Sequence, residues 1–206
     1  MIDTDARPLN WRFIVPDEPF GMLLLGVGDE RVDDAIVPPR RRDELDLALE
    51  GTRYPAIVVA DLGGWAAVAG SGSRAMLARL SAVLEPGGWL YAVVENRAYP
   101  RRPARPGSLT LSSARAAFAA AGLDDVRPFI VLPEAGSPAY VISLSDEHAF
   151  AHFLRHLFVP YVPGGSVKVR MERQVLATTS RVALRLPHRA RTPLAPAFAL
   201  LGRMPS

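Results

Sequence analysis

The sequence predicts an α/β fold: a mainly parallel sheet with helices on both faces, closed by an antiparallel hairpin and followed by a helical, basic extension. Three observations predict it. Continuous apolar runs recur at Met22–Val27, Ala56–Ala60 and Trp89–Val94, the pattern of strands buried on both faces. Between the second and third lies SGSRAMLARLSAVLEPGG, whose apolar residues fall at helical spacing. Two later runs, VRPFIVLP and AYVISLS, are joined by the turn-rich EAGSP, which reads as a hairpin. Residues 1–145 are therefore read as one α/β domain and 146–206 as an extension packing on it or on a partner.

The elements follow in order. Trp11, Phe13 and Val15 alternate with other residues among prolines, which suits a short edge strand or extended lead-in. Residues 22–27 form the first buried strand. A short strand is expected at Ala35–Val37, ended by two prolines and three arginines. Residues 43–50 have helical spacing, with Asp43 as the cap. The second buried strand spans 56–64. In the helix 71–88, Met76, Leu77, Leu80, Val83 and Leu84 share a face, Ser71 or Ser73 caps it, and Pro86-Gly87-Gly88 stop it. The third buried strand is 89–96, and 97–108 is a loop. An alanine-rich helix covers 109–123, the hairpin strands are 126–133 and 139–145, and a last helix runs from Asp146 to Phe158.

Composition narrows the function classes. The 206 residues are 49% hydrophobic and 22% charged, enough to bury a core and unlike a disordered chain. There is no cysteine, which excludes disulfides, thiolate metal sites and cysteine nucleophiles. No apolar run reaches the roughly 18–20 residues of a membrane span. The opening MIDTDARPLNW lacks the pattern of a signal peptide, so a cytoplasmic protein is expected. Net charge is +3, but unevenly spread. From Lys168 onward Glu172 is the one acid among many arginines, including Arg181 and Arg185. With no interleaved aromatics that basic stretch suits a protein partner or a second copy of the chain better than nucleic acid.

His148, His152 and His156 recur every four residues on DEHAFAHFLRHLF, nearly opposite Phe150, Phe153, Leu154 and Leu157. That spacing puts them on one polar face, read as a partner face and not a metal site, since no well-placed further ligand accompanies them. Neither a phosphate loop of the G-x-x-x-x-G-K-[ST] type nor a Ser-His-Asp order is present. Chemistry-bearing residues gather instead at expected strand ends. Gly26 and Gly28 follow the first strand, in a turn that suits a nucleotide cofactor. Asp61, Leu62 and Trp65 follow the second, and Glu95, Asn96 and Tyr99 the third. Open α/β sheets place ligands at this edge, so Trp65, Glu95, Asn96 and Tyr99 are the candidate pocket for a small molecule or peptide.

The blocks AIVVADLGGW, LARLSAVLEPGGWLYAVVEN and LSSARAAFAAAGLDDV, with the hairpin after them, resemble the second half of the class I S-adenosylmethionine (SAM) dependent methyltransferases, which are Rossmann-like. The resemblance covers about residues 20–145. It implies a SAM site at Gly26, Gly28, Asp61 and Leu62, no metal, and a pocket for the methyl acceptor beside it. The first half departs from the family pattern. Leu24 stands where an acid belongs, Glu30 stands where a third glycine belongs, and AIVPPRRR stands where an acid for the ribose belongs. About 30 residues separate the glycines from the strand bearing Asp61, close to the length of one βαβ crossover, so at least one strand-and-helix unit is expected to be missing. These departures imply a methyltransferase-fold protein repurposed as an accessory, partner-binding subunit; the alternative is a divergent active methyltransferase acting on a small metabolite or peptide.

Overall fold

A computed structural model describes residues 12–17, 19–26, 42–100, 103–132, 140–146 and 192–206, with 148, 152, 174 and 178 as single positions. In chain order the elements are β1 (Leu23–Leu25), α1 (Arg42–Leu49), β2 (Tyr54–Val59), α2 (Leu62–Val68), α3 (Ser73–Ala82), β3 (Leu84–Glu95), α4 (Leu111–Ala120), β4 (Asp124–Leu132), β5 (Tyr140–Ser143) and β6 (Ala197–Arg203). The strand expected at 35–37 lies outside the described residues.

The strands form one sheet in the order β1-β2-β3-β6-β4-β5. β1 to β3 pair in parallel, whereas β6 runs antiparallel to both β3 and β4. β5 pairs antiparallel with β4, Ile130 opposite Ile142, as the hairpin reading requires. Four strands thus share one direction, and β5 and β6 oppose them.

The apolar runs are buried on both faces, as continuous hydrophobicity demands. Leu23, Leu25, Ile57, Val59, Leu90, Ala92, Val94, Phe198 and Leu200 join one cluster with α1, α2, α3 and α4. Met22, Leu24, Val58, Tyr91, Val93 and Leu201 form the other. Among the described residues all four helices contribute to the first cluster. Ile14 and Val15 pack on the second, where Trp89 Nε1 donates to Asp17 Oδ1 at 2.9 Å.

Several expectations need correction. The extension is not confined to a helical appendage: its residues 197–203 form β6, an interior strand, so the boundary at 145/146 cuts through the sheet. Arg12 and Phe13 form a helical turn, not a strand, and Phe13 is 88% exposed. α1 already includes Asp43, so that residue is not its cap. α3 has Gly72 at its N-cap, which has no side chain to make a cap bond, and Ser73, already inside the helix, donates its Oγ proton to Gly107 O at 2.6 Å.

α3 also ends before Pro86. Leu84–Gly88 begin β3, with a register break against β2 where Tyr54 faces Leu84 but Ala56 faces Trp89. The bulged turn is tied to the chain end: Gly87 N donates to Met204 O and Arg203 Nε to Gly87 O. Pro-Gly-Gly therefore shapes a strand entrance, where a missing N–H and open backbone are tolerated. Finally, the strand expected over 56–64 ends at Val59, and its Gly63 and Gly64 lie in the first turn of α2.

Candidate functional site

The carboxyl ends of β1, β2 and β3 lie side by side, and this brings Gly26, Asp61 and Glu95 to one edge. Gly26 has φ +76, a left-handed conformation in which a Cβ is strained. A Cβ there would also lie 3.1 Å from Trp65 Nε1 and 3.5 Å from Ala60 Cβ. The indole of Trp65, half-buried against the helix-covered core, thus occupies the direction in which residue 26 would project a side chain. The glycine satisfies both demands at once.

Asp61 is the N-cap of α2: its backbone is extended (φ −145, ψ 92) and its carboxylate accepts from Gly64 N at 3.0 Å. This satisfies an amide that the helix start leaves unpaired. A Cβ on residue 64 would meet Asp61 Oδ2 at 2.6 Å, so the glycine makes room for the cap. Leu62 is fully buried in the core.

The loop after β3 folds back over this edge. Leu109 N donates to Glu95 O, and Arg97 N donates to Leu109 O, which closes the loop at its base. Glu95 Oε1 pairs with Arg105 Nη1 at 2.9 Å. Just before that base, Gly107 lies against the first turn of α2: a Cβ there would stand 2.8 Å from Gly63 Cα. Gly63 and Gly107 are thus a backbone-to-backbone contact.

Asn96 is buried, its Nδ2 donates to Thr192 O at 3.0 Å and Ala195 O at 2.7 Å, and its Oδ1 accepts from Ala98 N at 3.0 Å. These bonds join the end of β3 to the entry of β6. Tyr99 is half-buried in the turn after β3, its N–H donating to Asn96 O. The structure therefore gathers Gly26, Asp61 and Trp65 into one packed group, and Glu95, Asn96 and Tyr99 into the neck of the following loop.

The contact of Ser73 with Gly107 escaped the sequence reading, which took Ser73 as a cap. Their bond holds the loop to α3, and no local pattern announces a contact across 34 positions. His148 and His152 are helical and exposed, in keeping with a polar face. Gly28, Glu30, His156, Arg181 and Arg185 lie outside the described residues. Among the described residues no group of three His, Asp or Glu is gathered that could hold a metal ion, and no helix is long and apolar enough to cross a membrane.

No family model matches the chain, and no curated protein matches its sequence. Its structure is similar to solved ones. A SAM-dependent methyltransferase of Archaeoglobus fulgidus aligns at TM-score 0.49 and 9% identity, over 95% of this chain and 92% of that one. A SAM-dependent methyltransferase of Thermotoga maritima, described as a possible histamine N-methyltransferase, aligns at TM-score 0.50 and 10% identity, over 97% and 89%. The phosphoethanolamine N-methyltransferase 2 of Haemonchus contortus, solved with phosphomonomethylethanolamine and S-adenosylhomocysteine, aligns at TM-score 0.51 and 11% identity, over 98% of this chain and 53% of that chain. With the strand order and the glycine-ended β1, the two likenesses at TM-scores 0.50 and 0.51 give the chain the class I SAM-dependent methyltransferase fold.

Proposed function

We propose that this methyltransferase-fold chain has given up the methyl donor and works as a binding subunit, engaging a small ligand and a protein partner or a second copy of itself. The carrying observation is the indole of Trp65 seated on Gly26. It fills the space by which a glycine turn admits a cofactor close to its backbone. Two further features support the reading. Leu24, in place of the family's acid, is 2% exposed within an apolar cluster, where a carboxylate would be costly. The Asp61 carboxylate is already bonded to the start of α2. The described residues thus fit SAM poorly, and no catalytic step is derived through it. The exposed His148 and His152 offer the polar side of a partner face.

Titration calorimetry with SAM and S-adenosylhomocysteine on the purified chain tests this. The expected result is no saturable heat for either. Saturable binding at micromolar strength, about −8 kcal/mol, would overturn the proposal and favour a divergent methyltransferase.

A further inference from the structure

Apart from the glycine turn, a cleft of about 590 Å³ opens between the first turns of α3 and α4 and the end of β3. That volume suits a small molecule. The charged residues lining it are Arg74 and Arg97, and no carboxylate shares the lining. Both arginines are exposed. Among the described residues neither makes an ion pair, whereas Arg42, Arg79, Arg105 and Arg127 each have an acidic partner. Two guanidinium groups lining one concavity with no carboxylate beside them offer planar donors that bind an anion in bidentate fashion.

The rest of the lining adds donors. Ser113 Oγ accepts from Thr110 Oγ1 at 3.0 Å, which leaves its own proton to donate. The wall opposite is held by the bond from Ser73 Oγ to Gly107 O. The first turn of α3, with no side-chain cap, presents amides beside the arginines. The arginine pair carries the argument; the helix start only adds to it.

We propose that this cleft binds a small molecule through a phosphoryl or carboxylate group held by Arg74 and Arg97, with Ser113 as a further donor. The site stands whether or not SAM binds, so its test is separate from the calorimetry above.

The test is an NMR titration of the full chain with inorganic phosphate and, separately, acetate. The expected result is saturable shifts of the Ser73, Arg74, Arg97 and Ser113 amides. Arg74→Gln and Arg97→Gln should each weaken binding about tenfold, the effect of losing a charged hydrogen-bond donor. Arg115→Gln removes the same charge from the exposed side of α4 and should leave binding unchanged. Saturation by phosphate, acetate or both supports the proposal and reads out which group the cleft prefers. Absent shifts, shifts scattered over the surface, or equal weakening by Arg115→Gln would overturn it. Chemical-shift maps of each variant without anion confirm that its fold is retained.

Discussion

Asn96 makes its hydrogen bonds from a buried position, and two of them reach carbonyls almost a hundred positions away. Removing the amide leaves the buried Ala195 carbonyl without its bond, while Thr192 O keeps the bond from Ala195 N. Asn96→Ala should therefore destabilise the chain by about 2–4 kcal/mol, since lost bonds and an unsatisfied buried carbonyl add. Urea unfolding with an unchanged m-value measures it, and a loss below about 0.5 kcal/mol, the scale of an ordinary surface change, would refute the assigned role. At this scale the sequence was partly legible. The positions Gly26, Asp61 and Glu95 were found because strand ends of an α/β sheet share an edge. Their roles were not, because an N-cap, an indole contact and a loop-closing ion pair depend on where α2 and the loop after β3 come to rest. The same residue types at strand ends serve packing or chemistry, and spacing alone does not separate them.

β6 is the element that joins the two halves of the sheet. Phe198 is fully buried, stands opposite Val94 on one side and Ile130 on the other, and packs in the helix-covered cluster. Phe198→Ala should cost about 3–5 kcal/mol through lost burial and a residual cavity. Phe13→Ala, at an 88% exposed position, should stay within about 0.5 kcal/mol. Thermal or urea denaturation of the two variants decides; equal effects would remove β6 from the core. This strand was hidden by its setting. Ala197–Leu201 is a continuous apolar run between Pro196 and Gly202, a legible strand signal, but the arginines before it made the stretch read as part of a basic extension. α2 was hidden for the opposite reason: Gly63 and Gly64 look like a break, yet they sit inside the helix, where Gly64 leaves room for the Asp61 cap. The clear strands and α4 were legible because apolar continuity and alanine-rich helical spacing are local properties.

On the scale of the molecule, burial of tyrosine links stability to alkali. Desolvation pushes the Tyr91 phenol well above its ordinary value of 10.0, and Tyr54 is raised by burial too, partly offset by a hydrogen bond with Thr52. A group whose folded value is raised stabilises fully below its unfolded value and loses that contribution as pH climbs above it. Stability should thus fall above about pH 10, and Tyr91→Phe should lessen the fall. Unfolding midpoints from pH 8 to 11, spanning the ordinary tyrosine range, check this, and identical alkaline profiles for both proteins would refute it. Tyr91 lies where Val58 and Leu201 flank it across the sheet, so the effect belongs to the assembled sheet and not to β3 alone.

The central place of β6 has a consequence for synthesis. Arg203 reaches Gly87 across 116 positions, and of the six strands β6 leaves the ribosome last. Until it emerges, β3 and β4 have no neighbour between them, and each exposes a row of unpaired amides and carbonyls in what will be the middle of the molecule. Such edges recruit other strands. A nascent chain that stops before Ala197 therefore exposes two inner edges, and the making of β6, not of any helix, is the event that lets this sheet close.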